Sequence, residues 1–228
     1  GDSALHVRLE FDQVYKGGEN DTLFFETSTD EGQTWSSHII HSGSTGSRGL
    51  NPEHVYMDVS SGLQNADSAM VRFRMKAEVA QTWQLDNIAL VNMPQYDVAL
   101  LQTFTANINE GYEYAQIPID QWSSSEQLGM VVQNVGWSTL TEVVGTVDIE
   151  YLDSNGDFDG VDTGFLEDLS SFSIDTIWIS TGTSFNVGMN EIHFEVGSTE
   201  IEEVDLNQVA IRYVERTAWT YAHHFEED

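Results

Sequence analysis

Apolar residues in this chain recur at every second position in short runs, and a period of two dictates extended strands. Leu5-His6-Val7-Arg8-Leu9-Glu10-Phe11 places Leu5, Val7, Leu9 and Phe11 on one face, and residues 70–76 set Val71, Phe73 and Met75 against Arg72, Arg74 and Lys76. The same reading predicts strands over 22–27, 35–41, 55–59 and 83–91, with Gly, Ser, Asn and Asp clusters between them. Met93-Pro94-Gln95-Tyr96-Asp97 reads as a linker, because Pro94 ends one strand and a new alternation starts at Val98. Beyond it, strands are expected over 98–105, 112–119, 128–135, 142–151, 173–180, 191–196 and 209–215. The one helical signal is a turn near 165–169.

Ser28-Thr29-Asp30-Glu31-Gly32-Gln33-Thr34-Trp35 is the sharpest local signal. Asp30 offers side-chain acceptors to its own turn amides, Gly32 supplies a permissive backbone, and Trp35 is expected to pin the return strand to the core. This is scaffold chemistry, and no catalysis is assigned to it.

Charge excludes several partners. The 228 residues carry 38 acids against 8 Lys and Arg, a formal net charge of −30. Phosphate contacts need cations, so nucleic acid is excluded as a partner and an anionic membrane surface is disfavoured. Residues 96–228 hold 25 of the acids and only Arg212 and Arg216 as bases. Such a surface suits a saline or calcium-containing exterior. There is no Cys, so disulfides do not hold the fold together. No apolar run is long enough to span a membrane. No signal peptide is visible, and Gly1 in place of Met reads as a mature or excised fragment.

Asp21-Thr22-Leu23, the Ser-x-Asp-x-Gly-x-Thr-Trp run, Met70-Val71-Arg72-Phe73-Arg74 and Trp83-Gln84-Leu85-Asp86-Asn87-Ile88 together resemble the C-terminal portion of a MAM-like jelly-roll module carrying an Asp-box. Residues 97–228 resemble adhesion-type immunoglobulin-like domains, through Asp97-Val98-Ala99-Leu100, Tyr114-Ala115-Gln116-Ile117-Pro118 and Val132-Gln133-Asn134-Val135-Gly136. The resemblance implies an all-β chain, a partial jelly-roll sandwich over 1–93 followed by an immunoglobulin-like β-sandwich over 97–216. Residues 217–228 then form a linker or open a further module. It further implies a secreted, multidomain cell-surface protein of Bacteroidota-type bacteria, non-catalytic and adhesive or structural. A carbohydrate-binding accessory module, or a non-catalytic region of a secreted hydrolase or peptidase, is the alternative. A complete jelly roll needs roughly eight strands, and 1–93 supplies about six. The first module is therefore expected to leave an open sheet edge, completed by preceding residues or another copy through strand addition.

The best ligand-like run is Asp153-Ser154-Asn155-Gly156-Asp157-Phe158-Asp159-Gly160-Val161-Asp162. Calcium takes six to eight oxygens in flexible geometry, and Asp153, Asn155, Asp157, Asp159 and Asp162 offer them at alternating positions. From Asn155 the spacing matches the first half of an EF-hand loop, but the closing position falls on Leu166. A structural calcium ion and a solvated acidic hairpin loop are both open readings. Asp86 and Asn87, with Asp21, offer oxygens to a structural ion, or simply cap strand ends. His38 and His41, three apart on one strand, are expected on opposite faces. Trp122, Trp137, Trp178 and Trp219 read as core or as a platform for surface glycans. There is no His-Glu-x-x-His, Gly-x-Ser-x-Gly or phosphate-binding loop, so no catalytic residue and no enzyme activity are expected.

Overall fold

The structure is a computed structural model describing residues 6–16, 18, 20–42, 52–63, 66–78, 82–105, 116–119, 127–152, 158–181, 185–202, 204 and 206–218, the side chains of 158–160 excepted. The chain divides into two compact units, Gly1–Met93 and Pro94–Asp228. Both are β-sandwiches.

The first unit comprises β1 (Val7–Lys16), β2 (Thr22–Ser28), β3 (Ser36–Ser42), β4 (Glu53–Asp58), a helical turn α1 (Ser60–Leu63), β5 (Met70–Lys76) and β6 (Thr82–Asn92). Two three-stranded antiparallel sheets, ordered β4-β1-β6 and β3-β2-β5, enclose the core. Alternation along β1 buries Leu9, Phe11 and Tyr15. Phe73 joins the layers, edge-on to Phe11 at 5.4 Å and to Phe25 at 5.2 Å. Among the described residues β3, β4, β5 and β6 are the terminal strands of their sheets.

One expectation fails here. The β2–β3 register slips between Leu23 and Phe24, a bulge that removes the simple alternation of β3. His38, paired with the buried Phe25, and His41, stacked on Tyr15 of the other sheet at 6.0 Å, consequently both face inward.

The second unit comprises β7 (Val98–Phe104), β8 (Gln116–Pro118), β9 (Gln127–Asn134), β10 (Leu140–Tyr151), β11 (Phe158–Leu169), β12 (Ile174–Ser180), β13 (Gly188–Gly197) and β14 (Val209–Thr217). A five-stranded sheet, β11-β10-β13-β14-β8, faces a three-stranded sheet, β12-β9-β7, as an immunoglobulin-like sandwich. Its core includes Met130, Val147, Ile177, Ile179, Ile192 and Phe194, each at most 1% exposed. Strand β11 was not expected: residues 158–162 continue the sheet instead of looping, and 165–169 are strand rather than helical turn. Its inward positions opposite Val147 and Gly145 are Asp162 and Gly164, so the strand lacks the apolar alternation that reveals the others.

Two buried asparagines secure the turns of this unit. Asn134 donates from Nδ2 to the Ser138 carbonyl at 2.8 Å and the Leu169 carbonyl at 2.7 Å, and accepts the Gly136 amide at 3.0 Å. Asn190 donates to the carbonyls of Asn186 and Gly188, both at 2.9 Å, and accepts the Asn186 amide at 3.1 Å. Each side chain satisfies backbone groups at strand ends and in the adjoining turns.

Candidate functional site

The β2–β3 connection closes on its own side chains. Asp30 Oδ1 accepts the Thr34 amide at 2.9 Å and the Ser28 hydroxyl at 2.7 Å, while Oδ2 accepts the Thr34 hydroxyl at 2.6 Å. Ser28 Oγ in turn accepts the Gly32 amide at 2.9 Å. The Thr34 hydroxyl, followed by its amide and Ser28, pulls the Asp30 pKa down to about 2. Glu31 and Gly32 carry φ of 60° and 82°, a backbone that glycine adopts freely. Trp35 is not the core anchor expected: it is half-buried, donates Nε1–H to the Gly32 carbonyl at 3.1 Å and lies under the Arg72 guanidinium, 3.9 Å from its ring centroid. The turn chemistry aims the indole along the sheet surface, towards β5.

Arg72 leads to a feature that sequence reasoning missed. Glu26, 2% exposed, sits between Ser37 on β3 and Arg72 on β5 in register. Arg72 Nε donates to its Oε2 at 2.6 Å, Arg74 Nη2 to Oε1 at 2.8 Å, and Ser37 Oγ to Oε1 at 2.7 Å. Arg74 also covers Phe24, 4.0 Å from the ring centroid. The Arg74 hydrogen bond, with Ser37 and Arg72 behind it and burial opposing, lowers the Glu26 pKa to about 2. Three strands are thus tied by one carboxylate, which makes this a structural lock.

Asp21, Asp86 and Asn87 are engaged in separate contacts. Asp21, 1% exposed, accepts the amides of Gly18 at 2.7 Å and Glu78 at 3.0 Å, and these hold its carboxyl below the usual range. Asp86 accepts the Asn87 amide at 2.8 Å; Asn87, at φ 53°, donates to Asp12 at 2.6 Å beside a bulge in the β1–β6 ladder. Asp12 also meets His54 Nδ1 at 2.6 Å, and its pKa falls through the Asn87 bond first and His54 second. Trp83 donates to Gln13 at 2.9 Å and packs edge-on to Phe73. Each of these residues caps or braces a strand.

Of the calcium run, Asp153, Asn155 and Asp157 lie outside the described residues, Asp159 stands in β11 with its side chain not described, and Asp162 occupies β11 opposite Val147. A different group comes together on the outer face of the five-stranded sheet. Glu150 and Glu191 are direct cross-strand partners, His193 is two residues further along β13, and one donor atom from each lies within 4.8 Å of the others. His193 Nε2 contacts Glu191, and the Tyr213 hydroxyl bonds the same carboxylate, which raises the tyrosine pKa. Like charges directly opposite destabilise a sheet. The described bases of this unit are committed elsewhere, Arg212 to Thr103 at 2.9 Å and Arg216 to the Phe185 carbonyl. The donor set, two carboxylates and an imidazole, suits an ion that accepts nitrogen as well as oxygen; calcium prefers oxygen throughout.

The outer face of β12-β9-β7 has a contrasting character. Trp178, Gly129 and Phe104 form one cross-strand rank over three strands. Their rings lie with planes 18° apart and centroids 6.5 Å apart. A Cβ at position 129 would meet Trp178 at 2.8 Å and Phe104 at 3.0 Å, so glycine is what lets both rings close over the middle strand. Trp178 remains 44% exposed. Of the other tryptophans proposed from sequence, Trp137 is 39% exposed, and Trp122 and Trp219 lie outside the described residues.

No family model and no curated protein matches this sequence. Among solved structures, the CARDB domain of a Pyrococcus furiosus protein is similar at 17% identity and a TM-score of 0.39, over 56% of this chain and all of that one. A crystal structure of that domain in complex with di-metal ions is similar at 17% identity and 0.35, over 55% of this chain and 91% of that one. A GH2 β-galacturonidase from Eisenbergiella tayi bound to galacturonate matches at 11% identity and 0.42, over 93% of this chain and 34% of the enzyme. The β-sandwich architecture described above rests on this chain's own strand pairing.

Proposed function

We propose that the chain is a non-catalytic structural and adhesive part of a large exported bacterial surface protein, its first unit a MAM-like jelly-roll module with an Asp-box hairpin. The observation that carries this reading is the succession of two self-contained sandwiches, each with its own core and with terminal strands at its sheet edges. Such edges accept a further strand through main-chain hydrogen bonds, which is how neighbouring modules or another copy would be recruited. No helix among the described residues is long and apolar enough to cross a membrane. Display of the chain on the cell is tested by labelling intact source cells with a membrane-impermeant amine reagent. Labelling before lysis is expected, and labelling only after lysis overturns the reading.

A structural calcium ion belongs to this proposal, held by Asp153, Asn155, Asp157, Asp159 and Asp162. Modules of this kind bind calcium near 10⁻⁴–10⁻³ M, so about 10 mM calcium should stabilise by about 1.4–2.7 kcal/mol. Thermal melting measures it: the rise should vanish in a double Asp157→Asn, Asp159→Asn variant and survive Glu191→Gln. The reverse pattern would place the cation at Glu150–Glu191–His193 instead.

A second reading, a carbohydrate-binding accessory module or non-catalytic region of a secreted hydrolase or peptidase, is favoured by the Trp178–Phe104 pair.

A further inference from the structure

We infer that the outer face of β12-β9-β7 binds a neutral glycan, seating the C–H face of a pyranose ring on Trp178 and Phe104. This inference rests on the carbohydrate-binding reading and gives it a site and a ligand class.

Charge carries the argument. In register, the outward ranks are Trp178–Gly129–Phe104 and Thr176–Val131–Gln102, with Gln127 and Ser180 paired at one end and Ile174 exposed at the other, where Gln133 and Ala99 are buried. None of these residues is ionisable, in a part of the chain where acids outnumber bases 25 to 2. A cationic ligand would be drawn to the acid-bearing opposite sheet, and an anionic one would be repelled by the unit as a whole. A neutral ligand is what an uncharged face in an acidic unit selects.

Shape and hydrogen bonding narrow it further. Near-parallel rings present apolar surface across three strands, and closing them over the middle strand requires the missing Cβ of Gly129. Around the rings stand amides and hydroxyls: Gln102 and Gln127 are exposed, and Gln127 Nε2 donates to Ser180 Oγ at 3.3 Å. A pyranose presents this combination in mirror form, an apolar C–H face rimmed by hydroxyls. A wholly apolar ligand would leave the amides unmatched, and a protein surface would have to bury them.

Isothermal titration and tryptophan fluorescence on the full chain test this with cellohexaose, xylohexaose and mannohexaose, against oligogalacturonate and chitosan oligosaccharide as charged comparators. At least one neutral hexasaccharide should bind and shift the emission. Affinity should fall about tenfold or more in Trp178→Ala and in Phe104→Ala, and less in Gln102→Ala. Because losing a ring uncovers Gly129, Trp178→Phe is the folding control and should keep partial binding with an unchanged melting temperature. Neutral-sugar binding that survives Trp178→Ala combined with Phe104→Ala overturns this site and leaves the carbohydrate-binding reading standing. Failure of every probe at about 10 mM, weaker than any useful affinity, overturns both. Equal or tighter binding of a charged comparator overturns the assignment of ligand class. A concentration-dependent dimer abolished by Trp178→Ala assigns the face to self-association and overturns the inference.

Discussion

Replacing Asn134 by alanine is expected to destabilise the second unit by about 3 kcal/mol, enough to lower its melting temperature by about 10 °C. The side chain is fully buried and serves three backbone groups: the Ser138 and Leu169 carbonyls and the Gly136 amide. Alanine removes this partner from all three, and the Leu169 and Gly136 contacts lie where water does not reach. Asn134→Asp should be worse at neutral pH, since a carboxylate keeps the acceptor for Gly136 but turns an anion towards two carbonyl oxygens. Part of that loss should be recovered near pH 4, where the new carboxyl can protonate and donate. Gln102→Ala, an exposed position on the adjoining β7, is the control and should stay within about 0.5 kcal/mol. Urea denaturation followed by tryptophan fluorescence measures all three. A loss below about 1 kcal/mol in Asn134→Ala would show that the turn rearranges to satisfy itself.

Glu26→Gln should cost the first unit about 2 kcal/mol at neutral pH. The figure is kept below the full value of a buried ion pair because Arg72 and Arg74 are 45% and 41% exposed in their side chains and can rehydrate. The pH dependence distinguishes the charge from mere packing. The Glu26 pKa drops from its usual 4.5 to about 2 on folding, so the folded state binds its proton more weakly than the unfolded chain. Its contribution is therefore complete above about pH 4.5 and is lost as pH falls through about 2. The gap in stability between the parent and Glu26→Gln should shrink across that window. A gap that stays constant from pH 7 to pH 2 would assign the loss to shape. Asp30, also near 2 in the fold, loses its contribution over the same range, and Asp30→Asn separates the two.

Much of the fold was legible because burial writes itself as alternation. β1, β2 and β5 show it in Leu9 and Phe11, Leu23 and Phe25, and Phe73. β11 broke the rule, since Asp162 and Gly164 hold the inward positions that apolar residues fill elsewhere. His41 was misplaced because a bulge shifts the period by one, and no single residue announces it. The hairpin chemistry of Ser28, Asp30 and Thr34 was readable because its partners are neighbours in sequence. Glu26 with Arg72, and Trp178 with Gly129 and Phe104, were not readable, since strand pairing unites residues far apart in sequence and only register shows which meet. The same holds for Glu150 and Glu191, ordinary members of an acidic background until two strands set them side by side.

Gly145 and Gly164 face each other across β10 and β11, both on the inner side. A Cβ on Gly164 would lie 2.8 Å from Ile177 Cγ2 and 2.7 Å from the Trp178 carbonyl, and one on Gly145 would lie 2.8 Å from Met130 Sδ and 3.2 Å from Ile177 Cγ2. The paired glycines thus form a socket in one layer that receives a peg, Ile177, from the other. Sliding one sheet along its neighbour would drive the peg against the socket's rim.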